Sequence, residues 1–153
     1  MTAHSVNTIV IDRPAAVVFD TIHDYPNRLA WDTLLRKAYT LDNAPPAAGV
    51  VAVCKARWHL GGLTFATRYV TFMRPTLAAV ALVKPYFIFE VWSASIRQSD
   101  LPSGMNCSDL TYTLTFRCRP SWLAQPLESI AQRLFDAETK RRLLALKKYL
   151  ESN

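Results

Sequence analysis

The chain has 153 residues, half of them hydrophobic, and carries 18 lysines and arginines against 12 acids, a net charge of +6. That length fits one domain, residues 1–153, able to bury roughly 70% of its unfolded surface. Its longest apolar runs stop well short of the ~18 residues of a membrane span, and MTAHSVNTIV has neither the basic start nor the apolar core of a signal peptide, so the expectation is a cytoplasmic protein.

From the start of the chain, Ser5 to Asp12 is rich in β-branched residues and reads as a strand. The period then changes. Asp12 is placed to cap a helix with Pro14 near its first position and Ala15, Val18, Phe19 and Ile22 as its apolar stripe. Pro26 ends that helix, because the residue before a proline is pushed out of the α conformation. A short helical turn through Leu29, Ala30 and Trp31 follows, then a strand from Leu34 to Leu41 and a loop at Asn43-Ala44-Pro45-Pro46.

Gly61-Gly62 reads as a two-residue hairpin turn, which pairs Leu60 with Leu63, Trp58 with Phe65, Ala56 with Thr67 and Cys54 with Tyr69. The face holding Trp58, Phe65, Thr67 and Tyr69 is the apolar one and should point inward, leaving Lys55, Arg57, His59 and Arg68 toward water. Arg74-Pro75 turns the chain into strands over Thr76–Val83 and Tyr86–Gln98. The second offers two faces, one with Glu90, Trp92 and Ile96 and the other with Phe89, Val91 and Ser95, and periodicity does not choose between them. A loop over 99–108 with Pro102 and Gly104 leads to Leu110, Tyr112, Leu114 and Phe116, which alternate with polar residues as in a half-buried strand.

Ser121 to Leu150 is the one long helical pattern. Leu127, Ile130, Ala131, Leu134 and Phe135, then Leu143, Leu146 and Leu150, recur at three- and four-residue spacing, and Pro126 marks a start or a kink. Its cations, Lys140, Arg141, Arg142, Lys147 and Lys148, suit the negative end of the helix dipole. Asp136 with Lys140 and Glu138 with Arg142 have helix-supporting spacing, so the basic side reads as a solvated face. A strand, short helices, about six further antiparallel strands and one long helix make an α+β arrangement: a bent sheet of about seven strands (β-α-α-β6-α) around the C-terminal helix, with a space between them.

The stretches IDRPAAVVFDTIHDYPNRLAW, with Pro14, Val18, Phe19, Asp24 and Trp31, and FDAETKRRLLALKKYLE resemble the START-like superfamily, often written SRPBCC, which includes birch-pollen-type allergens and polyketide cyclases. The resemblance covers nearly the whole chain and implies a helix-grip fold whose cavity binds a hydrophobic small molecule. Asp24-Tyr25-Pro26 is similar, over three residues, to the motif of the coenzyme Q-binding branch.

Signatures of chemistry are sparse. His4, His23 and His59 have no metal-ligand spacing, and Cys54, Cys107 and Cys118 show no CxxC pair, which favours free thiols and no metal. The four glycines form neither a phosphate loop nor a dinucleotide fingerprint, so no cofactor is expected. Glu90 is the best single acid or base should its strand turn that face inward, with Tyr69 second. The candidate ligand-binding set is Trp31, Trp58, Phe65, Thr67, Tyr69, Trp92, Tyr112, Leu134 and Phe135. Two classes of function fit: a binding or transport protein for a lipid, polyketide or quinone-like molecule, and a polyketide aromatase/cyclase or dehydratase-like enzyme. No nucleic-acid partner is expected, since the positive charge is dispersed, and a homodimer is left open.

Overall fold

Seven antiparallel strands form a single sheet in which each strand neighbours the next in sequence, except that the first closes against the last. β1 (Ala3–Ile11), β2 (Leu35–Thr40), β3 (Val51–Ala56), β4 (Thr64–Met73), β5 (Leu77–Leu82), β6 (Phe89–Asp100) and β7 (Ser108–Cys118) lie in the order β1-β7-β6-β5-β4-β3-β2. The computed structural model describes residues 2–102 and 106–152; Gly104 of the expected 99–108 loop lies outside the described residues. Between β1 and β2 stand α1 (Ala15–Ile22) and a 3-10 helix (Tyr25–Ala30), and the chain ends in α2 (Ala124–Glu151). The sheet curls around α2, as a helix-grip fold requires.

The expected elements are present, with local differences that have physical causes. Pro14, not Asp12, precedes α1; the free N–H of Ala15 donates to Asp100 Oδ1 at 2.8 Å instead. Pro126 falls in the first turn of α2, where no intrahelical N–H bond is lost, so it begins the helix rather than kinking it. Ala131, Leu143, Leu146 and Leu150 of α2 are buried, and the last three pack with Ile11, Val18, Ile22, Leu110 and Leu114 into a core between helix and sheet. Glu128 Oε2 accepts from the backbone N–H of Cys118 at 3.1 Å and ties the start of α2 to the end of β7.

The β3–β4 connection is longer than a two-residue turn. Trp58–Leu60 forms a 3-10 turn closed by Gly61 and Gly62, both at positive φ, so Cys54 pairs with Phe65 and Ala52 with Thr67. The register differs from the expected one by four residues. Four is an even number, so the same side chains of β4 still face inward. Trp58, however, has left the strand. It is 75% exposed, stacks under the Arg36 guanidinium at 4.0 Å, and lies over Gly62. A Cβ on Gly62 would stand 2.6 Å from the Trp58 ring, on a backbone at φ +62. Gly62→Ala should therefore cost more than about 1 kcal/mol in urea unfolding and raise the mobility of Trp58 fluorescence.

The ambiguity in β6 is resolved by a bulge. Phe89 pairs with Cys118 and Val91 with Arg117, leaving Glu90 as the extra residue. The bulge shifts parity once, so Phe89 from one candidate face and Trp92 and Ile96 from the other all point inward. Glu90 points out. It is ion-paired with Arg117 at 2.9 Å, with both side chains about half exposed.

Candidate functional site

Between α2 and the concave face of the sheet lies a cavity of about 430 Å³. Its depth can be read along each wall. On β4, Phe65, Thr67 and Tyr69 line it in succession; on β6, Phe89, Trp92, Ala94 and Ile96; on α2, Leu127, Ile130, Leu134, Glu138, Thr139 and Arg142. The first members of these series sit beside exposed residues: Phe87, Ile130 and Leu134 are all more than half exposed and form a mouth together with His59 and Leu60. The last members are buried. The mouth therefore opens beside the first turns of α2, near Pro126.

The outer half of the cavity is aromatic. Phe65 stands 5.1 Å from Trp92 and 5.7 Å from Phe89, and Phe135 meets Phe89 at 5.7 Å and Phe116 at 5.2 Å, in tilted and edge-on contacts. Such a wall offers apolar area without flexible side chains to immobilise.

The inner half carries two polar clusters, which meet where Arg28 lies 5.7 Å from the Tyr25 ring. In the first, Asp32 accepts four hydrogen bonds: Oδ1 from Arg142 Nε and from the backbone N–H of Leu34, both at 3.0 Å, and Oδ2 from Arg28 Nε and Arg142 Nη2, both at 2.9 Å. Every lone pair of the carboxylate is used. The two guanidiniums hold its pKa down to about 2 against the opposing effect of burial. Arg28 also donates Nη1 to the carbonyl of Ile22 at 2.8 Å and packs 5.1 Å from the Trp31 ring, and Arg142 Nη1 reaches the Tyr112 hydroxyl at 3.4 Å.

In the second cluster the Tyr69 hydroxyl sits 2.7 Å from the Tyr25 hydroxyl and 2.8 Å from His23 Nδ1. His23 is 8% exposed, packed against Phe19 and Phe72, and its Nε2 has no partner. Burial, with Arg28 nearby, pushes its pKa down to about 3, so the ring is neutral at pH 7. Burial pushes Tyr25 up to about 12, and Tyr69 further in the same direction, so both hydroxyls keep their protons.

A buried histidine held neutral makes stability depend on pH. Its folded pKa lies below the unfolded value of about 6.5, so the unfolded chain binds the extra proton and stability falls as pH drops below about 6.5. Relative to His23→Asn, the wild type should lose about 2 kcal/mol between pH 7.5 and pH 5. Urea unfolding of both proteins at the two pH values measures this; parallel losses would place the histidine in water.

Of the expected ligand-binding residues, Phe65, Thr67, Tyr69, Trp92, Tyr112, Leu134 and Phe135 line the cavity. Two do not. Trp58 lies outside on the β3–β4 turn, and Trp31 is packed in the core behind Arg28. Glu90, a candidate acid or base only if its strand turned that face inward, is bulged into solvent, which removes the desolvation that role needs. The basic side of α2 is also not uniformly solvated. Arg142 is 8% exposed and paired with Asp32 rather than Glu138, which bonds Arg141, while Asp136 accepts from Ser5 rather than meeting Lys140. Arg28, Asp32 and Arg142 are not among the expected site residues, and His23, beside Asp24 in sequence, reads there as a polar residue at a helix end. Helical spacing contained the signal: Arg142 falls on the stripe Phe135, Thr139, Leu143 and Leu146, His23 follows Phe19 by four, and Arg28 precedes Asp32 by four. Among the described residues no three His, Cys, Asp or Glu side chains gather into a metal site, and no helix is long and apolar enough to cross a membrane.

The family model described as polyketide cyclase / dehydrase and lipid transport matches residues 2–151. No curated protein matched the sequence. Among solved structures, an aromatase/cyclase, Zhui, from Streptomyces sp. R1128 superposes with a TM-score of 0.80 at 16% identity, covering 99% of this chain and 94% of its own. A START superfamily protein from Mycobacterium smegmatis gives 0.79 at 12% identity over 98% of both chains, and Ara h 8.0201 gives 0.74 at 13% over 100% of both. At such identities the likeness shows a shared fold.

Proposed function

Because the chain belongs to the polyketide cyclase / dehydrase and lipid transport family, within the START-like superfamily, we propose that residues 1–153 form one domain that takes up a hydrophobic small molecule in its cavity. The observation that carries this is the cavity's division: about 430 Å³ of space, lined mainly by aromatic and aliphatic side chains from the mouth inward, with the hydrogen-bonded polar clusters at the buried end. A mostly apolar pocket with a few convergent polar groups suits a ligand whose body is apolar and whose one end is polar. Nile red, an uncharged apolar dye, should bind with a blue-shifted emission, and native mass spectrometry of the purified protein should show mass adducts removable by organic solvent. A protein that gives neither signal would rule the reading out.

A second reading, a cyclase- or dehydrase-type enzyme, is favoured by the chain of hydroxyls ending at His23. Tyr25, Tyr69 and His23 form a hydrogen-bonded relay with a free nitrogen at its end, and such a group can donate to an oxygen whose charge grows during ring closure or loss of water. Turnover of a poly-β-ketone thioester that falls at least a hundredfold in His23→Phe, with Nile red binding intact, would support it.

A further inference from the structure

The buried end of the cavity is not electrically neutral. Arg28 and Arg142 are 6% and 8% exposed, both line the cavity, and they share a single carboxylate, Asp32, whose oxygens already accept four hydrogen bonds. Two guanidiniums against one carboxylate leave one positive charge at the buried end of the cavity. Glu138 also lines the cavity; its Oε1 accepts from the exposed Arg141 at 2.6 Å, which balances its charge separately, while its Oε2 is buried without a partner. The carbonyl of Ile22 and the Tyr112 hydroxyl contribute dipoles, not charge. A buried cation without a counter-charge is costly, and an incoming anion would offset that cost.

The neighbouring hydroxyl chain adds direction. If Tyr25 donates to Tyr69 and Tyr69 donates to His23 Nδ1, each hydroxyl proton is used and the imidazole proton stands on Nε2 as a single donor without an acceptor. The opposite polarity would leave the Tyr25 proton without an acceptor and Nε2 without a donor, two unmet groups instead of one. The first arrangement is therefore the more stable, and it presents a buried N–H on a cavity-lining side chain next to the excess positive charge.

We propose that the buried end of the cavity is an anion site that receives a two-oxygen head, a carboxylate or the enolate of a 1,3-dicarbonyl, held by the Arg28–Arg142 pair and by the Nε2–H of His23, while the ligand's apolar body fills the aromatic half. This rests on the hydrophobic-ligand reading above and narrows it to amphipathic acids. The head would take the N–H groups of the two guanidiniums left over from Asp32, Ile22 and Tyr112, in charge-assisted bonds that an ester or alcohol cannot match.

The test is displacement of Nile red at pH 7.5 by three compounds of equal chain length: dodecanoic acid, its methyl ester, and a 1,3-diketone. The proposal expects at least a tenfold preference for the acid or the diketone over the ester, and which of the two ranks first identifies the head. His23→Phe, which leaves the arginine–aspartate cluster in place, should reduce that preference at least threefold, the displacement by each compound being referred to the variant's own Nile red affinity. Equal displacement by acid, ester and diketone would overturn the anion site while leaving the hydrophobic-ligand reading intact. Failure of Nile red and all three compounds to bind would overturn both.

Discussion

Asp32→Asn should destabilise the protein by about 3–5 kcal/mol, the largest effect expected of any single conservative change in this fold. The substitution keeps the shape of the side chain and removes its charge. Arg28 and Arg142 would then face one another, both buried, with two positive charges and no carboxylate between them. Neither can move to water without unpacking: Arg28 is anchored to Ile22 and packed on Trp31, and Arg142 lies on the buried stripe of α2. The attraction within the cluster is not what the measurement would report. Most of the loss is the cost of two desolvated cations left without a partner, so replacing the whole cluster should be far milder. Arg28→Met, Asp32→Leu and Arg142→Met combined should recover most of the lost stability in chemical denaturation, because an apolar trio of similar volume removes the charges along with their pairing. A triple variant as unstable as Asp32→Asn would mean that the cluster stabilises the fold on its own account.

The same cluster shows what sequence patterns can and cannot convey. Period-two alternation placed Phe65, Thr67 and Tyr69 on the cavity wall even though the register was wrong, because a slip of four residues preserves which face a side chain occupies. Trp58 did not share that protection. Once the chain closes a 3-10 turn, alternation ends, and an aromatic ring with an arginine above it and a glycine below is content at the surface. In β6 the two candidate faces were both partly right, because a bulge at Glu90 changes parity within the strand, and bulges have no composition signature of their own. The charged residues carry even less local signal. Average composition says that arginine on a helix faces water, and Arg141 does; Arg142, one residue later, is turned about 100° around the axis into the core. Which of two neighbouring cations is buried depends on a carboxylate supplied by the segment after Trp31, 110 positions earlier in the chain, and no local pattern records that pairing.

Ala94→Phe should abolish Nile red binding, a loss of at least a hundredfold, without lowering the melting temperature. Ala94 is 6% exposed, sits in mid-strand on β6 between Val80 and Leu114, and borders the cavity. Ala15, on α1, is 2% exposed and borders none of that space. By burial alone the two alanines look alike, and a substitution to phenylalanine would be expected to overpack either site at a cost of about 1–3 kcal/mol. Their surroundings separate them. At Ala15 the new ring has nowhere to go except into close-packed atoms, so the full overpacking cost should appear. At Ala94 it extends into space otherwise open to a ligand, where it gains contacts with Trp92 and Phe135 and removes apolar surface from water. Stability and binding should therefore move in opposite directions at one position and not at the other. A destabilised Ala94→Phe protein that still binds the dye would place the ligand elsewhere, and equal destabilisation at both alanines would mean that the space between α2 and the sheet closes in solution.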